Sequence, residues 1–147
     1  MKPFRKKQPL ALWWLSASLL LNGCGGPEPE CDSPDTQSLV VKTISDDSTN
    51  ALVNYAVKNS SSVAAMVGTT TTEAEKLAIW EKARQAAAYR LDDKILTNSR
   101  NRATRAVTCT GLLYVTVADT VAEKQVDFKV ERTTDGKMSV SVDPFLF

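Results

Sequence analysis

Three stretches in the C-terminal third of the chain alternate apolar and polar residues, and this period restricts the fold more than any other feature. Val107, Cys109, Gly111, Leu113, Val115 and Val117 alternate with Thr108, Thr110, Leu112, Tyr114 and Thr116. Val126, Phe128 and Val130 alternate with Gln125, Asp127, Lys129 and Glu131, and Met138, Val140 and Val142 with Ser139, Ser141 and Asp143. Successive strand side chains point to opposite faces, so each stretch reads as a strand with one buried face. Asp135-Gly136 is a tight-turn signal between the last two, and Asp119 with Thr120 marks the turn before them. Cys109 shares its face with Leu113 and Val115, which places it against the core. A weaker strand is expected at about 95–103, where Thr97-Asn98-Ser99-Arg100-Asn101 has little apolar alternation.

Upstream the period is helical. Asp32-Ser33-Pro34-Asp35 is a helix start: Ser33 caps, Pro34 suits the first helical position, and Asp35 complements the dipole. Val40, Val41, Ile44, Leu52, Val53 and Tyr55 then fall at mainly helical intervals around the polar run 45–50. This predicts helices at about 34–46 and 49–58, with continuity between them left open. Residues 59–72 read as a loop with a short helical turn at 64–67. Thr72-Glu73-Ala74-Glu75 matches a capping box, and Leu77, Trp80, Ala83, Ala87 and Leu91 make one stripe behind it. The expectation is a helix over 73–91 with Trp80 in the core. Helices followed by hairpin-linked strands predict an α+β domain: N-terminal helices packed on one face of a three- to four-stranded antiparallel meander.

Residues 1–24 read MKPFRKKQPLALWWLSASLLLNGC. A basic head precedes an apolar stretch, Leu10 to Leu21, that is short for a permanent span of about 20 residues and has the layout of an export signal. Leu21-Asn22-Gly23-Cys24 resembles the lipobox of bacterial lipoproteins, although Asn22 is a less usual choice at its position. That resemblance implies that residues 1–23 are cleaved and that Cys24 carries the acyl chains, palmitate among them. Gly25 stands where aspartate signals inner-membrane retention in enteric lipoproteins, which favours the outer membrane, facing the periplasm. Cys31-Asp32-Ser33-Pro34-Asp35-Thr36, with the later core-strand cysteine and the closing Asp-Gly hairpin, resembles a loose group of small uncharacterised bacterial lipoproteins. This second resemblance implies an α+β domain and no activity. The expected organisation is a signal peptide over 1–23, a lipid anchor and short tether over 24–31, and one domain over 32–147. The run Gly-Gly-Pro-Glu-Pro-Glu over 25–30 is too polar and short to pack, and keeps the domain within about 20 Å of the headgroups.

Three cysteines are an odd count. With Cys24 assigned to lipid, Cys31 and Cys109 remain as an even pair in an oxidising compartment, which favours a disulfide over two buried free thiols. A metal site is disfavoured by two cysteines without histidine, and no cofactor is expected.

Of 18 basic residues four lie in the first 23, leaving 14 against 17 acidic residues and a net charge of −3. That balance argues against nucleic acid as a partner. The absence of histidine removes every Ser-His or Cys-His nucleophile arrangement, and argues against an enzyme. Asp46-Asp47 and Asp92-Asp93 are adjacent carboxylates, which reads as solvated helix ends rather than an acid–base pair held apart in a cleft. Arg90, Lys94, Arg100, Arg102 and Arg105 form the densest basic segment, with Arg100 and Arg102 on one side of the expected edge strand. They offer a face to anionic headgroups or an acidic partner, although protection of an edge strand accounts for the charge more simply. The functional expectation is a lipid-anchored envelope protein, an accessory or inhibitory binding domain for a protein partner. The alternative is a carrier of a small apolar ligand held between helix and sheet.

Overall fold

The computed structural model describes residues 26–144; Cys24 and the segment expected to be an export signal lie outside the described residues. These residues form four helices, α1 (Pro34–Ser45), α2 (Ala51–Asn59), α3 (Ser61–Gly68) and α4 (Glu73–Gln85), and five strands. The strands are β1 (Ala88–Leu91), β2 (Leu96–Asn101), β3 (Ala106–Val117), β4 (Thr120–Arg132) and β5 (Met138–Val142). The α+β class holds.

β3 is the centre of an antiparallel sheet. Its 12 residues pair with β4 along their whole length, and β5 extends the sheet beyond β4. On its other edge β1 covers Leu113 to Thr116 and β2 covers Ala106 to Thr110. These two short strands share one row, interrupted at 92–95, where Asp92 N–H still donates to Leu112 O at 2.8 Å. The expected meander is therefore present with one more strand than the apolar pattern suggests. Burial alternates along β3 and β4, and Val107, Cys109, Leu113, Val115, Val126, Phe128 and Val130 are buried in one core with Val40, Ile44, Leu52, Val53 and Val57. Contacts run from α1 to β5 and β1, and from α2 to β3 and β4.

The helix starts follow their caps. Ser33 Oγ accepts from Thr36 N–H at 3.2 Å and Thr72 Oγ1 from Glu75 N–H at 3.3 Å. Asn50 ends any continuity between α1 and α2: its Oδ1 caps α2 through Val53 N–H at 2.9 Å, and its Nδ2 donates to Asp47 O and to the Tyr89 hydroxyl. Such a buried polar group is tolerated because each atom finds a partner.

Several expectations need correction. The helix predicted over 73–91 stops at Gln85, and residues 88–91 leave it for β1. The Ala-rich segment suits a helix, but half of β3's edge would then lack backbone partners, and that demand overrides propensity. Residues expected as a loop form α3, started by Ser60, whose side chain accepts from Val63 N–H. The sheet contacts expected of the long helix belong to α1 and α2. Every residue of α4 keeps some exposure, and Trp80 is only partly buried against the core. Asp46 does cap α1, whereas Asp92 and Asp93 lie between β1 and β2.

Gly111 shows how closely β1 is seated. A Cβ there would lie 3.0 Å from Leu91 Cδ1 and 3.5 Å from Phe128 Cε1. Gly111→Val is expected to destabilise the domain by about 1–3 kcal/mol in chemical denaturation. Leu91→Ala in the same chain recovers part of that loss if the clash is the cause, so strictly additive losses would show that it is not.

Candidate functional site: an arginine clasp on the N-terminal segment

The expected basic face is present but differently employed. Arg100 lies on β2, an edge strand, while Arg102 and Arg105 fall in the turn that leads to β3, with Arg105 at φ +50°. The expectation that Arg100 and Arg102 share one side of a strand is therefore wrong: β2 ends at Asn101. The polar β2 sequence offers no alternation from which that end could be placed.

Two of the three arginines hold the N-terminal segment. Arg100 Nη1 donates to Pro29 O at 3.0 Å and approaches Glu28 Oε2 at 3.4 Å. Arg105 Nη2 donates to Gly26 O at 2.7 Å. Arg132, from the end of β4, completes the clasp, since a Cβ on Gly26 would sit 2.9 Å from Arg132 Nη1. A side chain there would make the guanidinium shift. Pro29 is buried, and Glu30 O accepts from the buried Thr36 hydroxyl at 2.7 Å. The expectation that residues 25–30 cannot pack is thus corrected for 26–30. Their carbonyls are strong acceptors whatever the side chains, and guanidinium groups supply the donors.

The end of this segment is fixed covalently. Cys31 and Cys109 form a disulfide with Cα atoms 5.8 Å apart and a sequence separation of 78. Closing so long a loop stabilises the domain by up to about 4–5 kcal/mol on the chain-entropy model. Because Cys109 lies on β3, paired with β2 on one side and β4 on the other, the bridge ties the N-terminal segment to the most fully paired strand.

A second feature lies at the other end of β3, where the two-residue turn Ala118-Asp119 leads into β4. Asp119 accepts from the Ser60 hydroxyl at 2.5 Å, from the Ser61 hydroxyl, and from Ser62 N–H at 3.2 Å. These bonds, Ser60's first, hold its carboxyl well below the usual carboxylate range. They pin the start of α3 over the turn. Beside it is a hollow of about 440 Å³ lined mainly by apolar side chains: Val63 and Met66 of α3, Ile79 and Ala83 of α4, and Val117, with Lys82 at one side. Met66 and Leu77 stay 48% and 60% exposed, so α3 and α4 present apolar surface to solvent. The triplet Ser60-Ser61-Ser62 was the one sequence signal for this junction, and its carboxylate partner, 59 residues away from Ser60, was not readable.

Among the described residues there is no cluster of histidine, cysteine or acidic groups able to hold a metal, and no helix is long and apolar enough to cross a membrane. Compared with family models, curated proteins and solved structures, the chain matches none.

Replacing Arg100 and Arg105 together by alanine is expected to lower the backbone 15N order parameters of Gly26 and Glu28 toward those of an unstructured chain, with the disulfide intact; Arg102→Ala leaves them unchanged. Unaltered order parameters in the double variant would remove the clasp. The Asp119 junction has a pH signature. With its folded pKa depressed, Asp119 contributes stability that is complete above its unfolded value near 4 and is lost as pH falls below it. Asp119→Asn should flatten the fall in stability between about pH 5 and 3 measured by denaturant titration; an unchanged slope would contradict the assignment.

Proposed function

We propose that this is a lipid-anchored envelope protein whose domain acts as a small accessory or inhibitory binding module for a protein partner. The anchor reading rests on Leu21-Asn22-Gly23-Cys24 behind a basic head and an apolar run, with the outer membrane, facing the periplasm, as its destination. The helices are taken to cover a single face of the sheet, a reading supported by the alternate burial along β3 and β4. The observation that carries the binding role is the half-covered pair α3 and α4. Met66 remains exposed on the wall of an apolar hollow and Leu77 is exposed elsewhere on α4, at a cost in water that contact with a partner would relieve. No catalytic role is proposed, because no activated nucleophile or separated acid–base pair can be named.

The hollow also favours a second reading. At about 440 Å³ with a mainly apolar lining it falls in the size range of small-molecule sites, and a carrier of an apolar ligand would use it.

Two experiments separate these possibilities. Cys24→Ala should abolish lipoprotein-type processing and move the protein out of the detergent phase; unchanged partitioning would sink the anchor reading. A photoreactive residue at position 77 should give one discrete protein adduct in intact envelopes, lost in Met66→Asp, while a probe at Glu123 gives none. A copurifying small molecule in native mass spectrometry, with no adduct at 77, would transfer the case to the carrier.

A further inference from the structure

We infer that the β2–β3 end of the domain rests on the anionic phosphate headgroups of the membrane, with Arg102, Arg105 and Arg132 facing them. This orientation rests on the proposed lipidation of Cys24. Its geometry comes from the clasp. Gly26 O is held by Arg105, and a Cβ at Gly26 would meet the Arg132 guanidinium, so the described chain begins at this end of the domain. Cys24 is two residues further on, and two extended residues span at most about 7 Å. Acyl chains on Cys24 would therefore enter the bilayer beside these arginines, not at the end of a free tether.

The charge at this end fits such a surface. Lys129 pairs with Glu131, Lys137 with Asp135, and Arg100 with Glu28. Arg105 and Arg132 donate instead to the backbone carbonyls of Gly26 and Gly136 and make no ion pair among the described residues, the nearest carboxylate to Arg132 in its hollow being that of Asp35. Arg102 is exposed in the turn and makes no ion pair among the described residues. Three guanidiniums without an ion pair thus gather on a domain whose net charge after cleavage is negative. Arginine near an anionic leaflet gains attraction that fades within a Debye length, about 8 Å at physiological salt. Seating this end on the membrane has a consequence for the binding module. β3 runs from Ala106 beside the clasp to Val117 beside the hollow, and 12 extended residues cover roughly 35–40 Å. The α3–α4 surface would then stand at the end remote from the bilayer.

The test uses the full chain produced in a bacterium. The processed protein is extracted and reconstituted in vesicles of phosphatidylcholine alone, or of phosphatidylcholine and phosphatidylglycerol in equal parts. Intact mass reports acylation, and amide exchange reports the orientation. Exchange over 101–106 should slow with phosphatidylglycerol, the effect disappearing in high salt, while exchange over 61–86 is the same in both vesicles. Arg102→Glu should reduce the slowing by about fivefold or more, on the strength of one arginine at an anionic surface. An acylated protein whose exchange over 101–106 ignores lipid charge, or is slowed equally in Arg102→Glu, overturns the orientation alone. A mass without acyl chains overturns the anchor reading, and the orientation with it. Slowing over 61–86 in place of 101–106 would show the domain lying the other way up.

Discussion

The pairing of β3 on both edges is the constraint on which the rest of the structure depends. A strand of 12 residues at the centre of a sheet must satisfy its backbone groups on each side, since any left unpaired in the interior costs free energy comparable to a lost hydrogen bond. β4 satisfies one side completely. The other side is met by two short strands in line, and the chain abandons a good helix-forming sequence after Gln85 to supply the first of them. The inner face of β3 carries Val107, Cys109, Leu113, Val115 and Val117, and its close-packed contacts leave little space at Gly111, where a Cβ would crowd Leu91. The disulfide at Cys109 extends this centre to the N-terminal segment.

Around that centre the polar interactions divide into two ends with different chemistry. At one end, cationic side chains meet backbone carbonyls, so the geometry is fixed, and Arg105 and Arg132 make no ion pair among the described residues. At the other, a carboxylate meets two hydroxyls and an amide, and the negative charge of Asp119 is used to seat α3. An exposed salt bridge is worth little because water screens it, yet hydrogen bonds that join sequence-distant segments still set geometry. This gives a domain with one end where the N-terminal segment is clasped and another where apolar surface is only partly covered.

The strands β3, β4 and β5, the starts of α1 and α4, and the core position of Cys109 were legible because each depends on local rules: period two, capping side chains, and Asp-Gly at a turn. The pairing of Cys31 with Cys109 was legible by elimination once Cys24 was assigned to lipid. β1 was hidden because Ala86-Ala87-Ala88-Tyr89-Arg90-Leu91 reads as helix, and only the open edge of β3 makes it a strand. The clasp was hidden because its acceptors are main-chain carbonyls, which carry no residue identity, and its donors are separated from them by more than 70 residues.

The sequence alone determined the α+β class, the helices before the strands, and the buried face of each long strand. All of these follow from side-chain spacing along a few turns or a few strand residues. The tertiary structure decided where α4 ends, that residues 26–30 lie against Arg100, Arg105 and Arg132, and that α3 and α4 keep apolar surface in water. Each of these depends on which backbone groups and apolar faces are left over after the sheet has formed, a remainder that no local spacing encodes.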